Sequence, residues 1–189
     1  MEIVAGTARG ITLYSPPENE AVRPTSVRAR RAFFDALGNC TDIIFADIFA
    51  GSGAMGLEAA SRGARKVYFF EQSPSVLKII ESNCMKLKKA GVSCEFKIVR
   101  GTVPPFHSSI AKMDPPDIIF ADPPYPQSME FLDGITSDPR FRIWAENAVM
   151  YWEMPERNAG LNIPPKPWKI EQIRNCGSAR FLELRCVKE

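Results

Sequence analysis

The sequence is poor in the residues that build metal sites and disulfide frameworks. Among its 189 residues there is a single histidine, His107, and the five cysteines are scattered without a Cys-x-x-Cys pair. Structural zinc sites need several cysteine and histidine ligands at characteristic spacings, and disulfide frameworks use cysteines in pairs. The composition therefore argues against a bound metal, and it favours reduced thiols in a cytoplasmic protein.

Long apolar runs and a strong excess of one charge are also missing. No apolar run approaches the roughly 20 residues of a membrane-spanning helix. The N-terminal residues Met1-Glu2-Ile3-Val4 do not form a secretory signal. The net charge of +2 is too small to predict nucleic-acid binding by itself. A length of 189 residues suits one globular domain with a substantial core.

The most informative stretch covers residues 43–56, where an apolar run ends in Asp47 and is followed by glycines at positions 51, 53 and 56. This pattern predicts a buried strand that turns tightly into a helix. Glycines permit a turn that side chains would block, and they let a ligand lie against bare backbone. The stretch is therefore typical of a nucleotide-cofactor site, although a ligand-free turn would show the same glycines.

A second acidic residue strengthens the cofactor interpretation. Glu71 ends the next apolar run, 67–70, at about the 20-residue offset from the first glycine that dinucleotide-binding folds show. In a doubly wound sheet these two strands are neighbours, and the second acid lies where ribose hydroxyls are bound. Glu71 is thus the feature that favours a bound nucleotide over an empty turn.

From residue 42 onward, strand patterns alternate with helix patterns. We predict strands at 43–48, 66–71, 94–99, 117–121 and 148–153, helices between them, and a terminal hairpin of 168–174 and 179–186. The alternation is typical of an α/β fold with a parallel, doubly wound sheet, to which the hairpin adds an antiparallel strand at one edge. Two short strands are expected within residues 1–14, followed by a helix from about 25 to 37.

That N-terminal helix carries a run of positive charge. Between residues 22 and 31 there are four arginines and no acidic residue, namely Arg23, Arg28, Arg30 and Arg31. We predict Thr25 as the N-cap of the helix. Its buried face is expected to contain four apolar side chains, namely Val27, Phe33, Phe34 and Leu37. The arginines then form either an ordinary solvated face or a surface that holds nucleic-acid phosphates.

A second motif, Asp122-Pro123-Pro124-Tyr125, follows the predicted strand 117–121. Ligands bind outside the carboxyl ends of strands in doubly wound sheets, so this motif would border the glycine turn if strands 43–48 and 117–121 are neighbours. The Asp122 carboxylate and the Pro123 carbonyl can accept the two N–H bonds of an amino group, and Tyr125 can stack on a base. The alternative is a stiff proline turn without function.

Together, Asp47-x-Phe49-Ala50-Gly51-Ser52-Gly53-x-x-Gly56 and the Asp122 motif resemble those of class I S-adenosylmethionine-dependent methyltransferases acting on an amino nitrogen. Arg23-Pro24-Thr25 and Ser61-Arg62-Gly63-Ala64 are similar to segments of the bacterial 16S ribosomal RNA guanine-N2 methyltransferases, and the likeness runs nearly end to end. The resemblance implies a Rossmann-like, seven-stranded sheet. It also implies a single domain, 1–189, with an N-terminal hairpin and helix (1–38) that bind RNA and a catalytic core (42–189).

The same resemblance implies roles for individual residues. Three would hold and stack the guanine: Asp122, Pro123 and Tyr125. The cofactor S-adenosylmethionine would be bound by Asp47, Phe49, Ala50, Gly51, Ser52, Gly53, Glu71 and Thr102, with Thr102 or a backbone group near it reading the adenine. The 16S rRNA of the small ribosomal subunit would contact Arg9, Arg23, Thr25, Arg28 and Arg31. The chain departs from the family pattern at Ser26, Arg30 and 100–102. These departures affect the expected contacts with RNA and with the adenine of the cofactor more than the expected methyl transfer.

Three alternatives remain open on the sequence. The acceptor could be adenine N6 in DNA or a protein glutamine, although so short a chain has no separate DNA-recognition segment. A nicotinamide-dependent oxidoreductase would use the same glycines and Glu71, but it would leave Asp122 and Tyr125 without a role. An RNA-binding module that lost its activity is the non-enzymatic alternative, against which the intact motifs argue. We expect a monomer.

Overall fold

The computed structural model of the protein describes residues 1–16, 26–101, 108–154, 166–177 and 179–187. Three of the predicted site residues, Arg23, Thr25 and Thr102, lie outside the described residues, as does the side chain of Tyr125. Among the helices of these described ranges, none is long and apolar enough to cross a membrane.

Seven strands form one mixed sheet. They are β1 Ile44–Asp47, β2 Lys66–Glu71, β3 Glu95–Arg100, β4 Ile118–Ala121, β5 Val149–Met154, β6 Trp168–Cys176 and β7 Ala179–Cys186, in the spatial order β3-β2-β1-β4-β5-β7-β6. The first five strands are parallel, and β7 is antiparallel to both β5 and β6. The predicted fold is confirmed. The terminal hairpin contributes two strands to the sheet. Strand β7 pairs with every residue of β5, and β6 pairs with the other side of β7.

Helices cover both faces of the sheet. They are α1 Val27–Leu37, α2 Ala54–Ser61, α3 Pro74–Lys89, α4 Ser128–Ser137 and α5 Pro139–Trp144. One buried cluster contains side chains of α1, α2 and α3, and a second contains side chains of α4 and α5. Because alternate residues of a strand point to opposite faces, each central strand contributes to both clusters, and this accounts for its unbroken apolar sequence.

Helix α3 shows how closely local pattern and structure agree. Ser73 caps it by accepting the N–H of Val76, and Pro74 occupies the first turn, where its missing N–H costs nothing. Its buried residues are the predicted stripe, namely Val76, Leu77, Ile80, Asn83, Cys84 and Leu87. The chain then leaves the helix through Gly91, whose φ of 88° lies in the left-handed region that favours glycine.

Helix α1 departs from the prediction in three respects. Its N-cap is Ser26, whose side chain accepts the Ala29 N–H at 3.1 Å, so the prediction of Thr25 as the cap was wrong. Val27 is 40% exposed, whereas Phe33 and Phe34 are buried as predicted. Arg30 is completely buried and pairs with Glu58 of α2, so it cannot hold phosphates at the surface. Arg30 lies three and four residues before Phe33 and Phe34, so helical spacing places it on their buried face, where Glu58 of α2 supplies the opposite charge.

The N-terminal segment packs on α2 instead of forming a regular hairpin. Its two halves are joined by one isolated bridge, Glu2 to Thr12, and by single hydrogen bonds beside it. The carboxylate of Glu58 accepts the backbone N–H groups of Val4 at 2.8 Å and Ala5 at 3.0 Å. The helix therefore replaces the strand ladder as the main partner of this segment.

Substitution of Gly56 by alanine is expected to destabilise the fold by about 1–3 kcal/mol or more, because a Cβ there overpacks the interface between α2 and β2. The added carbon would lie 2.4 Å from Cε1 of Phe69 and 2.7 Å from Cγ1 of Val67. Urea unfolding would measure the loss. As the control we propose Gly101→Ala, where nothing lies within 4 Å of the added carbon. Equal effects of the two substitutions would contradict the packing argument.

Candidate active site

The point at which strand order reverses lies between β1 and β4. The chain proceeds from β1 outward to β2 and β3 on one side, and β4 and β5 lie on the other side. Strands β1 and β4 pair in parallel, with Asp47 opposite Phe120. The two strands are therefore neighbours, which is the condition under which the Asp122 motif borders the glycine turn. Consequently the glycine turn after β1 and the Asp122 motif after β4 leave the sheet side by side.

The glycine turn is built from backbone that most residues do not adopt. Gly51 and Gly53 have φ angles of 50° and 77°, both in the left-handed region. The Gly53 N–H closes the turn onto the Ala50 carbonyl at 2.7 Å, and the Ala50 N–H donates to the Phe70 carbonyl of β2 at 3.0 Å. The turn is thus fixed to the neighbouring strand and presents bare backbone at the carboxyl edge of the sheet.

Glu71 faces this turn from the end of β2. Its carboxylate accepts the Gly51 N–H at 2.9 Å. The other carboxylate oxygen accepts the N–H groups of Gln72 and Ser73, each at 2.8 Å. These three hydrogen bonds fix the orientation of the partly exposed Glu71 carboxylate beside the turn. The structure therefore brings together the two features on which the cofactor prediction was based.

Asp47 is buried at the end of β1, beneath the turn. Its carboxylate accepts the Gly56 N–H in the first turn of α2 at 3.1 Å. Burial raises the pKa of Asp47 from 3.8 to about 7; the Gly56 hydrogen bond opposes this rise, whereas the negative charges of Asp122 and Glu71 add to it. Because β2, β1 and β4 are adjacent parallel strands, the carboxylates of Glu71, Asp47 and Asp122 follow one another along the carboxyl edge of the sheet.

The pKa of Asp47 predicts how the stability of the protein free of ligands depends on pH. A carboxyl group whose pKa is higher in the folded state stabilises the fold below its unfolded value, and that contribution is lost as pH rises toward 7. The loss should reach about 3 kcal/mol between pH 4 and 7. Urea unfolding of the wild type and of Asp47→Asn, which keeps an oxygen for Gly56, would show the difference in stability between them changing with pH. A pH-independent difference would contradict the prediction.

The Asp122 motif leaves β4 as a short, rigid segment. Asp122 is half-buried and Pro123 is buried. A 3₁₀ turn, Tyr125–Gln127, follows and is closed by the Gln127 N–H donating to the Pro124 carbonyl at 3.2 Å. The aspartate is therefore held where the strand ends, and the two prolines prevent the backbone from continuing the sheet.

Aromatic rings anchor the glycine turn on its other side, a feature that sequence reasoning missed. The Phe49 ring lies 5.6 Å from Phe131 of α4 and 5.9 Å from Trp152 of β5, measured between ring centroids. The Trp152 indole N–H donates to the Ser128 hydroxyl at 3.0 Å. Ser52 is also buried in the turn and donates to the Met1 sulfur at 3.9 Å. The only sequence signal was the aromatic residue between Asp47 and the glycines.

The predicted RNA-contacting arginines fall in two places. Arg28 and Arg31 are exposed on α1. Arg28 lies next to the turn between β6 and β7, since a Cβ added to Gly177 of that turn would be 3.9 Å from Arg28 Cγ. Since this turn adjoins the end of β5, Arg28 lies at the carboxyl edge of the sheet. Arg9 is exposed near the C-terminal end of α2, about 12 Å along that helix from the glycine turn. The structure thus brings Arg28, but not Arg9, close to the site.

Comparisons with known proteins agree with this architecture. The family model described as conserved hypothetical protein 95 matches residues 1–184. The chain is 30% identical over 183 residues to ribosomal RNA small subunit methyltransferase D of Escherichia coli K12, covering 96% of this chain and 87% of that protein. It is 33% identical to the protein of the same name from Haemophilus influenzae, covering 96% of this chain and 91% of that protein.

A solved structure of a proposed methyltransferase from Escherichia coli superposes with a TM-score of 0.74 at 29% sequence identity. The superposition covers 100% of this chain and 99% of the other. The likeness therefore includes the terminal hairpin and the N-terminal segment as well as the central strands.

Proposed function

The chain belongs to the methyltransferase family described as conserved hypothetical protein 95, and on that premise we propose that it methylates the exocyclic N2 of a guanine in 16S ribosomal RNA, using S-adenosylmethionine. The observation that carries the proposal is the adjacency of the glycine turn and the Asp122 motif across the β1–β4 reversal point. A cofactor site and an amine-binding motif side by side support group transfer between them.

The residues at the turn fit the proposed cofactor. Glu71 offers a carboxylate that already accepts N–H bonds at the turn, where ribose hydroxyls can donate to it. Asp47 and the backbone of residues 49–53 would hold the methionine part. Thr102 is proposed to read the adenine. When bound, S-adenosylmethionine supplies an electrophilic methyl group, so the protein's own contribution is positioning.

The amine is held by the other motif. The Asp122 carboxylate accepts one N–H of the guanine amino group and the Pro123 carbonyl accepts the second, which leaves the nitrogen lone pair facing the cofactor side. Tyr125 is proposed to stack on the base. Asp122 stabilises the positive charge that develops on the nitrogen and passes the released proton to water. The guanine must be unpaired or turned out of its helix to enter.

The RNA is held by positive charge at the same edge. Arg28 and Arg31 would contact phosphates, with Arg23 and Thr25 preceding them in the chain, and these contacts position RNA without reading its sequence. Arg9 would contact RNA farther from the reacting base. We propose that residues 1–38 form this RNA-binding appendage to the catalytic core, that the enzyme is a monomer, and that it works in the cytoplasm where ribosomal RNA is found.

The proposal is tested by offering several acceptors in parallel. The protein is incubated with radiolabelled S-adenosylmethionine and small ribosomal subunits, their naked RNA, DNA or bulk protein. Label recovered from RNA as N2-methylguanosine is the expected result. Label in DNA or protein would retain the cofactor and overturn the acceptor. Cofactor binding without any transfer would overturn the catalytic assignment in favour of an RNA-binding module.

A further inference from the structure

A fourth acidic residue lies at the carboxyl edge of the sheet and has no part in the function proposed above. Glu153 stands at the end of β5, the strand next to β4. It is only 8% exposed. A buried carboxylate at the edge where ligands enter is a candidate acceptor for an N–H group of the substrate.

The sheet register places Glu153 beside Asp122. Ala121 of β4 is opposite Trp152 of β5, so the next residues along the two strands are Asp122 and Glu153. Neighbouring strands lie about 4.8 Å apart. The backbone positions of the two acids are therefore adjacent across the strand pair.

The two acids also share a face of the sheet. Phe120 and Tyr151, two residues before Asp122 and Glu153, both pack on Phe33 of α1, with ring centroids 5.2 and 5.1 Å from it. Because side chains alternate along a strand, residues two positions further on return to the same face. Asp122 and Glu153 thus form a pair of carboxylates at one edge and on one face.

Glu183 provides the contrast within the same sheet. It lies on β7 opposite Tyr151, two residues deeper than Glu153, and is 6% exposed. Its carboxylate pairs with Arg174 and accepts the Gln172 amide N–H at 2.8 Å. Glu183 thus lies within the hairpin, away from the carboxyl edge of the sheet, whereas Glu153 lies at the edge where the substrate would enter.

Building on the function proposed above, we propose that Glu153 accepts the N1–H of the target guanine and makes the site selective for guanine over adenine. Guanine carries its N1–H directly beside the N2 amino group, so a pair of adjacent carboxylates can accept from both nitrogens. Adenine presents an acceptor at N1, which would face the Glu153 carboxylate without a proton between them. Two hydrogen-bond acceptors that face each other in a buried site, with no proton between them, strongly disfavour the binding of adenine.

The test uses 2-aminopurine, which keeps the N2 amino group but has an acceptor at N1. The methylated guanine is first mapped with the wild-type enzyme, and that position is then replaced in whichever RNA or particle the enzyme accepts. The wild type should use guanine about 10–100-fold better than 2-aminopurine, the effect of one hydrogen bond to a charged group. Equal kcat/KM for the two bases in the wild type would overturn the proposal without any variant.

Glu153→Gln supplies the second measurement, since its amide can donate to N1 of 2-aminopurine. We expect a loss of about 10–100-fold in kcat/KM on guanine and an abolished or reversed preference. The loss of O6 in 2-aminopurine affects both enzymes alike, so the change in preference reports on N1. Melting temperature and cofactor binding establish that the variant is folded.

Glu183→Gln is the matched control, and it should keep the wild-type preference between the two bases. If wild-type enzyme methylates guanine N2 but Glu153→Gln keeps the same preference, the inference falls and the proposed function stands. If the wild type transfers no methyl group to guanine N2, the proposed function falls and this inference with it.

Discussion

Replacing Asp122 by alanine is expected to lower methyl transfer by about 10²–10³-fold or more, while the affinity for S-adenosylmethionine changes little. The carboxylate is the charged group at the end of β4, next to the glycine turn. Its removal deprives the amine of its orienting acceptor and the developing positive charge of its counterion. Cofactor affinity should persist because Asp47, Glu71 and the backbone of the turn are unchanged.

Single-turnover rates with saturating RNA, together with calorimetric binding of the cofactor, would separate these two effects. Asp122→Asn is the matched variant, because it keeps the shape and one accepting oxygen and should lose less activity than the alanine variant. The alanine variant should also lower the pKa of Asp47, since the charge of Asp122 contributes to raising it. A variant with near-normal turnover would remove Asp122 from the mechanism.

Much of the fold could be predicted because the relevant signals are local. The stripe from Val76 to Leu87 is a periodic pattern within one helix, and Ser73 and Pro74 mark its start by their own backbone preferences. Four of the five parallel strands appear as separate apolar runs, whereas β3 mixes charged and apolar residues. The alternation with helices leaves few possible strand orders, and the structure shows which of them is adopted.

The parts that were predicted wrongly depend on distant partners. Arg30 shares the helical face of Phe33 and Phe34, which Arg28 and Arg31 do not, but the charge that makes its burial tolerable comes from Glu58 of α2, which lies opposite it. The N-terminal strands form a single bridge because α2 satisfies their backbone groups instead. No local pattern identifies Glu58 as the partner of Arg30 or α2 as the partner of the N-terminal segment.

The candidate site could be predicted from the sequence in part. The glycine turn, Glu71 and Asp122 were predictable as separate motifs, since each follows an apolar strand. The electrostatic effect of Asp122 and Glu71 on the pKa of Asp47 depends on strands far apart in the chain. The predicted roles of Arg23, Thr25 and Thr102 remain predictions, because these residues lie outside the described part of the chain.

Replacing Glu58 by leucine is expected to destabilise the protein by about 3–5 kcal/mol, a large part of the 5–15 kcal/mol typical of a whole domain. The side chains of Glu58 and Arg30 are both 0% exposed, with Arg30 Nε 3.4 Å from the carboxylate. The substitution leaves the Arg30 guanidinium buried without its counterion. It also removes the acceptor of the Val4 and Ala5 N–H groups, so the N-terminal segment should loosen from α2.

A double variant separates these two consequences. Arg30→Met combined with Glu58→Leu removes both charges, so it should recover the part of the loss that comes from the unpaired guanidinium. The backbone N–H groups of Val4 and Ala5 still lack their acceptor, so their hydrogen exchange should stay fast. Urea unfolding and amide exchange would measure the two effects. If the double variant is no more stable than Glu58→Leu alone, the destabilisation does not come from the Arg30 guanidinium; it then comes from the N-terminal segment or from Arg62, whose Nε also donates to the Glu58 carboxylate at 2.9 Å.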